Sequence, residues 1–354
     1  MIDYGAPPAG DVVEVTLFGP GYGEAIVVHL GEGVWLLIDS CIDPNTKEVA
    51  SIAYLESIGV SADCVKAVVA SHWHDDHVRG ISKLAAKYPE AEFFHSAVFT
   101  DREASAFLAA HNGHSSAGLA RGAKELFSVI EQRDVVCPAL RGSIVLQTTL
   151  NNQPALVTAL SPLPAAFSQS VQHMAQYLPV IDKPIKHAPE LHPNLEAVAL
   201  HIDLGSDSIL LGADLEEHMN FGWTAVISDR WAGSRPPATA YKVAHHGSYT
   251  GDCPALWSKL LRKDPVSILT PFTWGRHKLP TNDDKRRIRE NTSAAFITSN
   301  TSRRPEMDTY QLKRLGDVCN NLTRADAGFG AVRLRKTRGT SSWEAELLGT
   351  AAAI

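Results

Sequence analysis

The stretch Ser71-His72-Trp73-His74-Asp75-Asp76-His77 sets three imidazoles and the carboxylate of Asp76 into six residues, directly behind the apolar run Val65–Ala70. Imidazole is the commonest protein ligand for zinc and its neighbours, with carboxylates second. One histidine at such a place reads as a solvated loop residue; His72, His74, Asp76 and His77 together read as a metal site. His72 and His74 lie two apart and face the same side, whereas Asp76 and His77 follow the turn. That separation predicts two adjacent divalent ions instead of one closed tetrahedral cage. Zinc is the first expectation, and a His/Asp site also accepts manganese or iron.

Further donors stand at the ends of other apolar segments. Asp39 follows Val34-Trp35-Leu36-Leu37-Ile38, Asp214 follows Ser208–Leu211 and Gly212-Ala213, and His245-His246-Gly247-Ser248 follows Tyr241-Lys242-Val243-Ala244. Two adjacent imidazoles on an extended chain point to opposite sides. One of His245 and His246 therefore completes the second ion, and the other is left to touch substrate or protonate a leaving group. The residue types do not say which. Gly247 lets the backbone approach an anion and Ser248 adds a hydroxyl, both suited to a phosphate oxygen; a plain turn with an N-cap is the competing reading. Asp214 could equally cap a helix running from Leu215, and Asp39 could satisfy turn amides.

The elements that must position these groups alternate between strand and helix. Val12–Phe18, Ala25–Leu30 and Val34–Ile38 read as a β-meander broken by Gly19-Pro20-Gly21-Tyr22-Gly23 and Gly31-Glu32-Gly33. A helix over 46–58, the strand Val65–Ala70, a helix over Ile81–Tyr88 and a strand ending at His95 make a sheet covered by helices. The segment 99–127 is helical around a polar loop with His111 and His114. Strands over 143–150 and 155–160 open a second sheet, Leu195–Leu204 and Ser208–Leu211 form a hairpin, and Pro265–Thr270 is a further strand. The Pro-, Gln- and His-rich stretch 161–193 reads as an irregular insertion. A rim loop with Arg276, His277 and Lys278 precedes a helix over 281–290, a strand over 294–298 and a late hairpin, 330–335 with 343–348. The cations of Arg276 and Lys278 could steady charge on a phosphoryl group.

With these residues in view, the chain resembles the metallo-β-lactamase superfamily, whose signature is the same His-x-His-x-Asp-His. Asp39, Gly212-Ala213-Asp214 and Val243-Ala244-His245-His246-Gly247-Ser248 extend the likeness, and the branch of the DNA-uptake (competence, ComEC-type) proteins is the most similar. The resemblance implies a four-layer αββα sandwich, α/β in class, with a binuclear centre. His72 and His74 would hold the first ion; Asp76, His77 and His245 or His246 the second. Asp214 would bridge the two, supplying two oxygens and negative charge, and Asp39 would support the loop from behind. Glu196 stands where the family has a small residue, so Asn194, His192 and His95 all stay open as the third ligand of the first ion.

The 354 residues, 44% of them hydrophobic, are enough for one domain with insertions, and that is the expected organisation over 1–354. No run of about 18 apolar residues occurs, and the five scattered cysteines form no Cys-x-x-Cys pair, so reduced thiols and a cytoplasmic protein are expected. The net charge of −6 conceals an asymmetry: residues 262–338 hold 17 Lys and Arg against 8 Asp and Glu, which is +9, leaving −15 on the rest. Such a basic part could attract a polyanion, or could be ordinary solvated helix faces.

The expected chemistry is metal-dependent hydrolysis, with Asp76, His245 and His246 at the reacting centre and a phosphodiester, perhaps of nucleic acid, as the first choice of substrate. A thioester, lactone or lactam hydrolase is the alternative within that chemistry. A binding or accessory component of a multi-protein system, for instance in anti-phage defence, is the alternative outside it.

Overall fold

The structure is a computed structural model that describes residues 2–20, 23–100, 121–150, 152–176, 193–205, 207–274, 277–299 and 328–354. Two eight-stranded sheets dominate it. The first runs, edge to edge, Glu344–Gly349, Gly330–Thr337, Val12–Gly19, Ala25–His29, Trp35–Ile38, Val65–Ala70, Glu92–Ser96 and Cys137–Ala139. The second runs Ala352–Ala353, Ala295–Ile297, Leu261–Leu269, Ala238–Lys242, Ser208–Leu211, Leu200–Asp203, Gln153–Ala159 and Ile144–Leu150.

Alternation along the strands assigns the layers, because successive side chains leave a strand on opposite faces. Leu36, Ile38, Ala67 and Val69 pack with Val157, Ile202, Ile209 and Leu211 into one core between the sheets. Their neighbours Trp35, Leu37, Val68 and Ala70 face outward into a second core with Tyr54, Leu55, Ile81 and Leu84 from the helices Ala50–Ser57 and Ile81–Lys87. On the far side Leu210 and Tyr241 pack with Trp223, Val226, Leu256 and Ile288. Helices, sheet, sheet and helices make the expected four-layer αββα sandwich.

Both sheets have parallel centres: Trp35–Ile38, Val65–Ala70 and Glu92–Ser96 in the first, Ser208–Leu211, Ala238–Lys242 and Leu261–Leu269 in the second. In parallel sheets the loops beyond the carboxyl ends of the strands share one edge, where binding sites gather. Asp39, His72, Asp214, His246 and Thr270 all follow such ends.

Two expectations need correction. The stretch 161–193 is not irregular throughout, since Pro164–Ala175 is an α-helix with proline in its first turn; residues 177–192, with His192, lie outside the described part. No helix starts at Leu215, and the next one begins at Trp223, which removes the capping role proposed for Asp214. Within the basic segment, Arg287 pairs with Asp252 and Asp284, Arg333 with Glu346, Arg335 with Glu14 and Lys336 with Asp207. Residues 300–327, with Arg303, Arg304, Lys313 and Arg314, lie outside the described part, as do His111, His114 and Arg276. No described helix is long and apolar enough to cross a membrane.

Candidate metal centre

The donors converge because the backbone bends sharply at each strand end. Eight described non-glycine residues have positive φ, and Asp39, Ala213, His245 and His246 are four of them. Such conformations persist only where the surroundings fix them, and they collect at functional sites. Gly23, at φ +129°, is dictated by contact: a Cβ there would lie 2.1 Å from the Asp76 carbonyl oxygen. That approach lets the Glu24 amide donate to Asp76 O at 2.8 Å, tying the first meander to the His-rich turn.

Asp76, His77, Asp214 and His246 bring one ligand atom each within 4.8 Å of one another. His246 Nε2 lies 3.1 Å from Asp76 Oδ2 and 3.2 Å from Asp214 Oδ2, and His77 Nε2 lies 3.4 Å from Asp214 Oδ2. Two ligands on a tetrahedral zinc at about 2.0–2.1 Å stand about 3.3 Å apart, so these separations are those of neighbouring ligands on a common ion. The protons are set from behind. His77 Nδ1 donates to Asp39 Oδ2 at 2.7 Å and His246 Nδ1 to Thr270 O at 3.1 Å, which turns both Nε2 atoms inward. His77 Nε2 and Asp214 Oδ1 are buried without a hydrogen-bond partner. Buried polar atoms are rarely left so, and a cation satisfies both.

His72 Nε2 and His74 Nδ1 face each other at 3.1 Å, the same ligand-to-ligand edge. Ser71 Oγ donates to Asp39 Oδ2 at 2.8 Å and accepts from His72 Nδ1 at 3.0 Å, so the carboxylate that orients His77 also orients His72. Of the three residues left open as the third ligand, His192 lies outside the described residues, and Asn194 presents a buried side-chain oxygen. Its Nδ2 donates to Glu216 Oε1 at 3.1 Å, and its buried Oδ1 has no hydrogen-bond partner. His95 follows Phe94, which faces the inter-sheet core, so it lies with Phe93 on the helix side of the sheet, its Nδ1 donating to Ser96 O.

Electrostatics agree with a cation-binding cavity. Burial and the neighbouring His77 and His74 hold His72 well below the usual histidine range, and burial lowers His74; both are neutral imidazoles. Burial disfavours charge on His77 and His246 also, but Asp214, with Asp39 and Asp76, overrides it: His77 is raised well above its usual range and His246 is pushed up to about 10. Conversely, although burial opposes their ionisation, His77 and His246 hold Asp76 and Asp214 below the usual carboxylate range. In the absence of metal the two histidines keep protons that a divalent ion would displace.

His246 turns toward Asp76 and Asp214, whereas His245 lies apart from them, its Nε2 3.3 Å from Asn194 Nδ2; both stand in left-handed backbone instead of the extended chain expected. His245 Nδ1 is 2.8 Å from Thr250 Oγ1 and 3.2 Å from Glu216 Oε1, and its side chain is 18% exposed, open to a reacting molecule. The Gly247 and Ser248 amides donate to Ala244 O and His245 O, and Ser248 Oγ meets Thr250 Oγ1 at 3.0 Å. These groups build the turn that presents His245, and neither amide is turned toward an anion. A Cβ on Gly247 would lie 2.9 Å from Leu269 Cδ1, a packing reason for glycine there. Lys278 is exposed on the two-stranded hairpin Phe272–Trp274 and His277–Leu279, whose Phe272 stacks on His246 at 5.1 Å. Tyr249, beside the His245 turn, is also exposed.

Glu24, Lys242, Glu216 and Thr250 belong to this site and were not singled out from the sequence. One signal was present: a lysine inside the apolar strand that delivers the histidine pair.

The metallo-beta-lactamase superfamily model matches residues 18–101, the stretch that carries Glu24, Asp39 and the His-rich turn. Among solved structures, the metallo-beta-lactamase fold protein YhfI from Bacillus subtilis is 14% identical, with 81% of this chain and 95% of that one covered and a TM-score of 0.40. A Cronobacter sakazakii metallo-beta-lactamase with a HARLDQ motif is 15% identical over 64% and 76%, with a TM-score of 0.32. No curated protein matches the chain. The family model supports the superfamily likeness expected from the sequence over residues 18–101; nothing in these comparisons singles out the DNA-uptake branch.

Proposed function

We propose that the chain is a hydrolase with a binuclear metal centre, acting on a phosphodiester. The observation that carries this reading is the set of ligand-to-ligand separations among His77, His246, Asp76 and Asp214, repeated between His72 and His74. His72, His74 and Asn194 would hold one divalent ion and Asp76, His77 and His246 the other, with the Asp214 carboxylate available to both. Zinc, manganese or iron bound there supplies a reactive hydroxide at neutral pH and polarises the electrophile.

The remaining chemistry belongs to the chain. Asp39 fixes His77 and, through Ser71, His72, so the ligands need no rearrangement to receive the ions. His245 takes no part in the ligand cluster. Held against Thr250 and Glu216, it donates the proton that an alkoxide leaving group requires. Lys278 at the rim offers a cation to the non-bridging oxygens. A phosphodiester is preferred over a carbonyl ester because its non-bridging oxygens carry a negative charge for Lys278 to meet, and because Gly-Ala-Asp and His-His-Gly-Ser resemble the DNA-uptake branch.

Protein loaded with zinc or manganese is expected to cleave labelled single-stranded or duplex nucleic acid, or bis(p-nitrophenyl) phosphate. The His245→Ala variant should keep its metal and lose about 10²–10⁴-fold in rate, the range of a general acid. Turnover of a thioester or lactam by fully loaded protein that leaves every phosphodiester intact would replace the substrate assignment.

A further inference from the structure

Beneath the metal centre lies a second charged cluster for which hydrolysis has no direct use. Glu24 and Lys242 are both buried, and Lys242 Nζ is bonded to Glu24 Oε1. The same ammonium donates to the Ala213 carbonyl at 2.9 Å and stands 3.6 Å from Asp214 Oδ1. Glu24 Oε2 in turn is 3.6 Å from His246 Nδ1, and its Oε1 is 3.9 Å from His77 Nδ1. Glu24, Asp39 and His77 have the spacing of a metal site of their own. However, the cation there is already present, because Lys242 is bonded to Glu24 and the His77 Nδ1–H already donates to Asp39.

We propose that Lys242, held by Glu24, is a positioning residue for the metal centre: a built-in cation that fixes the Ala213-Asp214 turn so that Asp214 is aimed before any ion arrives. This rests on the binuclear reading above. Stability alone does not account for the pair, since a buried ion pair contributes little over an apolar pair of the same volume. The bonds to its neighbours do. Ala213 sits at φ +44°, which an L residue holds only under constraint, and its carbonyl accepts from both Lys242 Nζ and the His245 amide at 3.0 Å. One ammonium thus clamps the segment of Asp214 to that of His245 and His246. Charge supports the same role. Glu24, Asp39, Asp76 and Asp214 with Lys242 leave three negative charges, the charge that two dications and one hydroxide balance.

The test separates aiming from folding by measuring two properties of two variants. Zinc affinity is read by competition with a chromogenic chelator, and the Tm of the metal-free protein is read in chelator. Lys242→Met orphans Glu24 and should lower that Tm by about 4–7 °C. The double variant Glu24→Gln/Lys242→Met removes both charges and should recover to within about 2 °C of the parent. Both variants should bind zinc about 10–100-fold more weakly, the usual loss when a group supporting a metal ligand is removed. A double variant that folds and binds zinc as tightly as the parent would overturn the proposal and leave the pair as packing. A parent protein that binds no zinc would instead remove the binuclear reading and this inference with it.

Discussion

Replacing Asp39 should weaken both metal positions at once. Its Oδ2 accepts from His77 Nδ1 at 2.7 Å and from Ser71 Oγ at 2.8 Å, and its Oδ1 accepts from the Ser71 amide at 2.7 Å. Ser71 Oγ relays the constraint to His72 Nδ1 at 3.0 Å, so one carboxylate orients a ligand in each half of the centre. In Asp39→Ala the buried Ser71 amide and His77 Nδ1 both lose their acceptor, at about 1–3 kcal/mol each. The fold should therefore lose about 2–6 kcal/mol, read by denaturant unfolding in chelator. Each ligand freed to rotate should cost about 10–100-fold in metal affinity, equivalent to about 1.4–2.7 kcal/mol per ion. Asp39→Asn keeps the volume and one accepting oxygen and should fall between the two. Metal content after dialysis against graded free zinc gives both affinities. Two ions retained in Asp39→Ala at parental affinity would refute the reasoning, because His72 and His77 would then be aimed by something other than this carboxylate.

Other outcomes follow from the same geometry. His246→Ala should lose one ion and activity together, whereas His245→Ala should lose activity with metal content unchanged; the reverse pattern would exchange their roles. Because His77 and His246 are raised in the metal-free protein, they stabilise it at pH values below about 6.5, and that stabilisation is lost as pH rises through about 10 for His246. Metal binding near neutrality should accordingly release about one to two protons, visible as an apparent affinity that climbs with pH. Burial pushes the Glu196 carboxyl up to about 7, so the folded state loses stability as pH rises from about 4.5 and levels off above about 7. Glu196→Gln should remove that decline, gaining on the order of 3 kcal/mol over the parent at alkaline pH; parallel Tm profiles for the two proteins would show that Glu196 does not titrate this way.

Much of the site was readable because ligand type and local spacing are local properties. His72, His74, Asp76 and His77 share one turn, and Asp39, Asp214 and His246 each stand where a buried strand must end. The choice between His245 and His246 was not readable. The rule of opposite sides assumes extended chain, and both residues lie in left-handed backbone fixed by contacts from distant segments, the Ala213 carbonyl and Thr270 among them. Glu24 and Lys242 escaped because their partnership spans the two halves of the chain, and a lysine in an apolar run is ordinarily read as snorkelling to water. Charge composition over 262–338 could not show that Arg333, Arg335 and Lys336 pair with acidic partners from elsewhere in the chain. Composition misled over 161–193, where proline at a helix start was read as a sign of irregular chain.

The most direct measurement is anomalous diffraction from crystals grown with zinc or manganese and from matched crystals grown in chelator. Two peaks are predicted, one against His72 Nε2 and His74 Nδ1, the other among Asp76, His77 Nε2 and His246 Nε2, with Asp214 touching both. A map with no peak at saturating metal, or with the ions held elsewhere while these side chains keep their present contacts, would contradict the account.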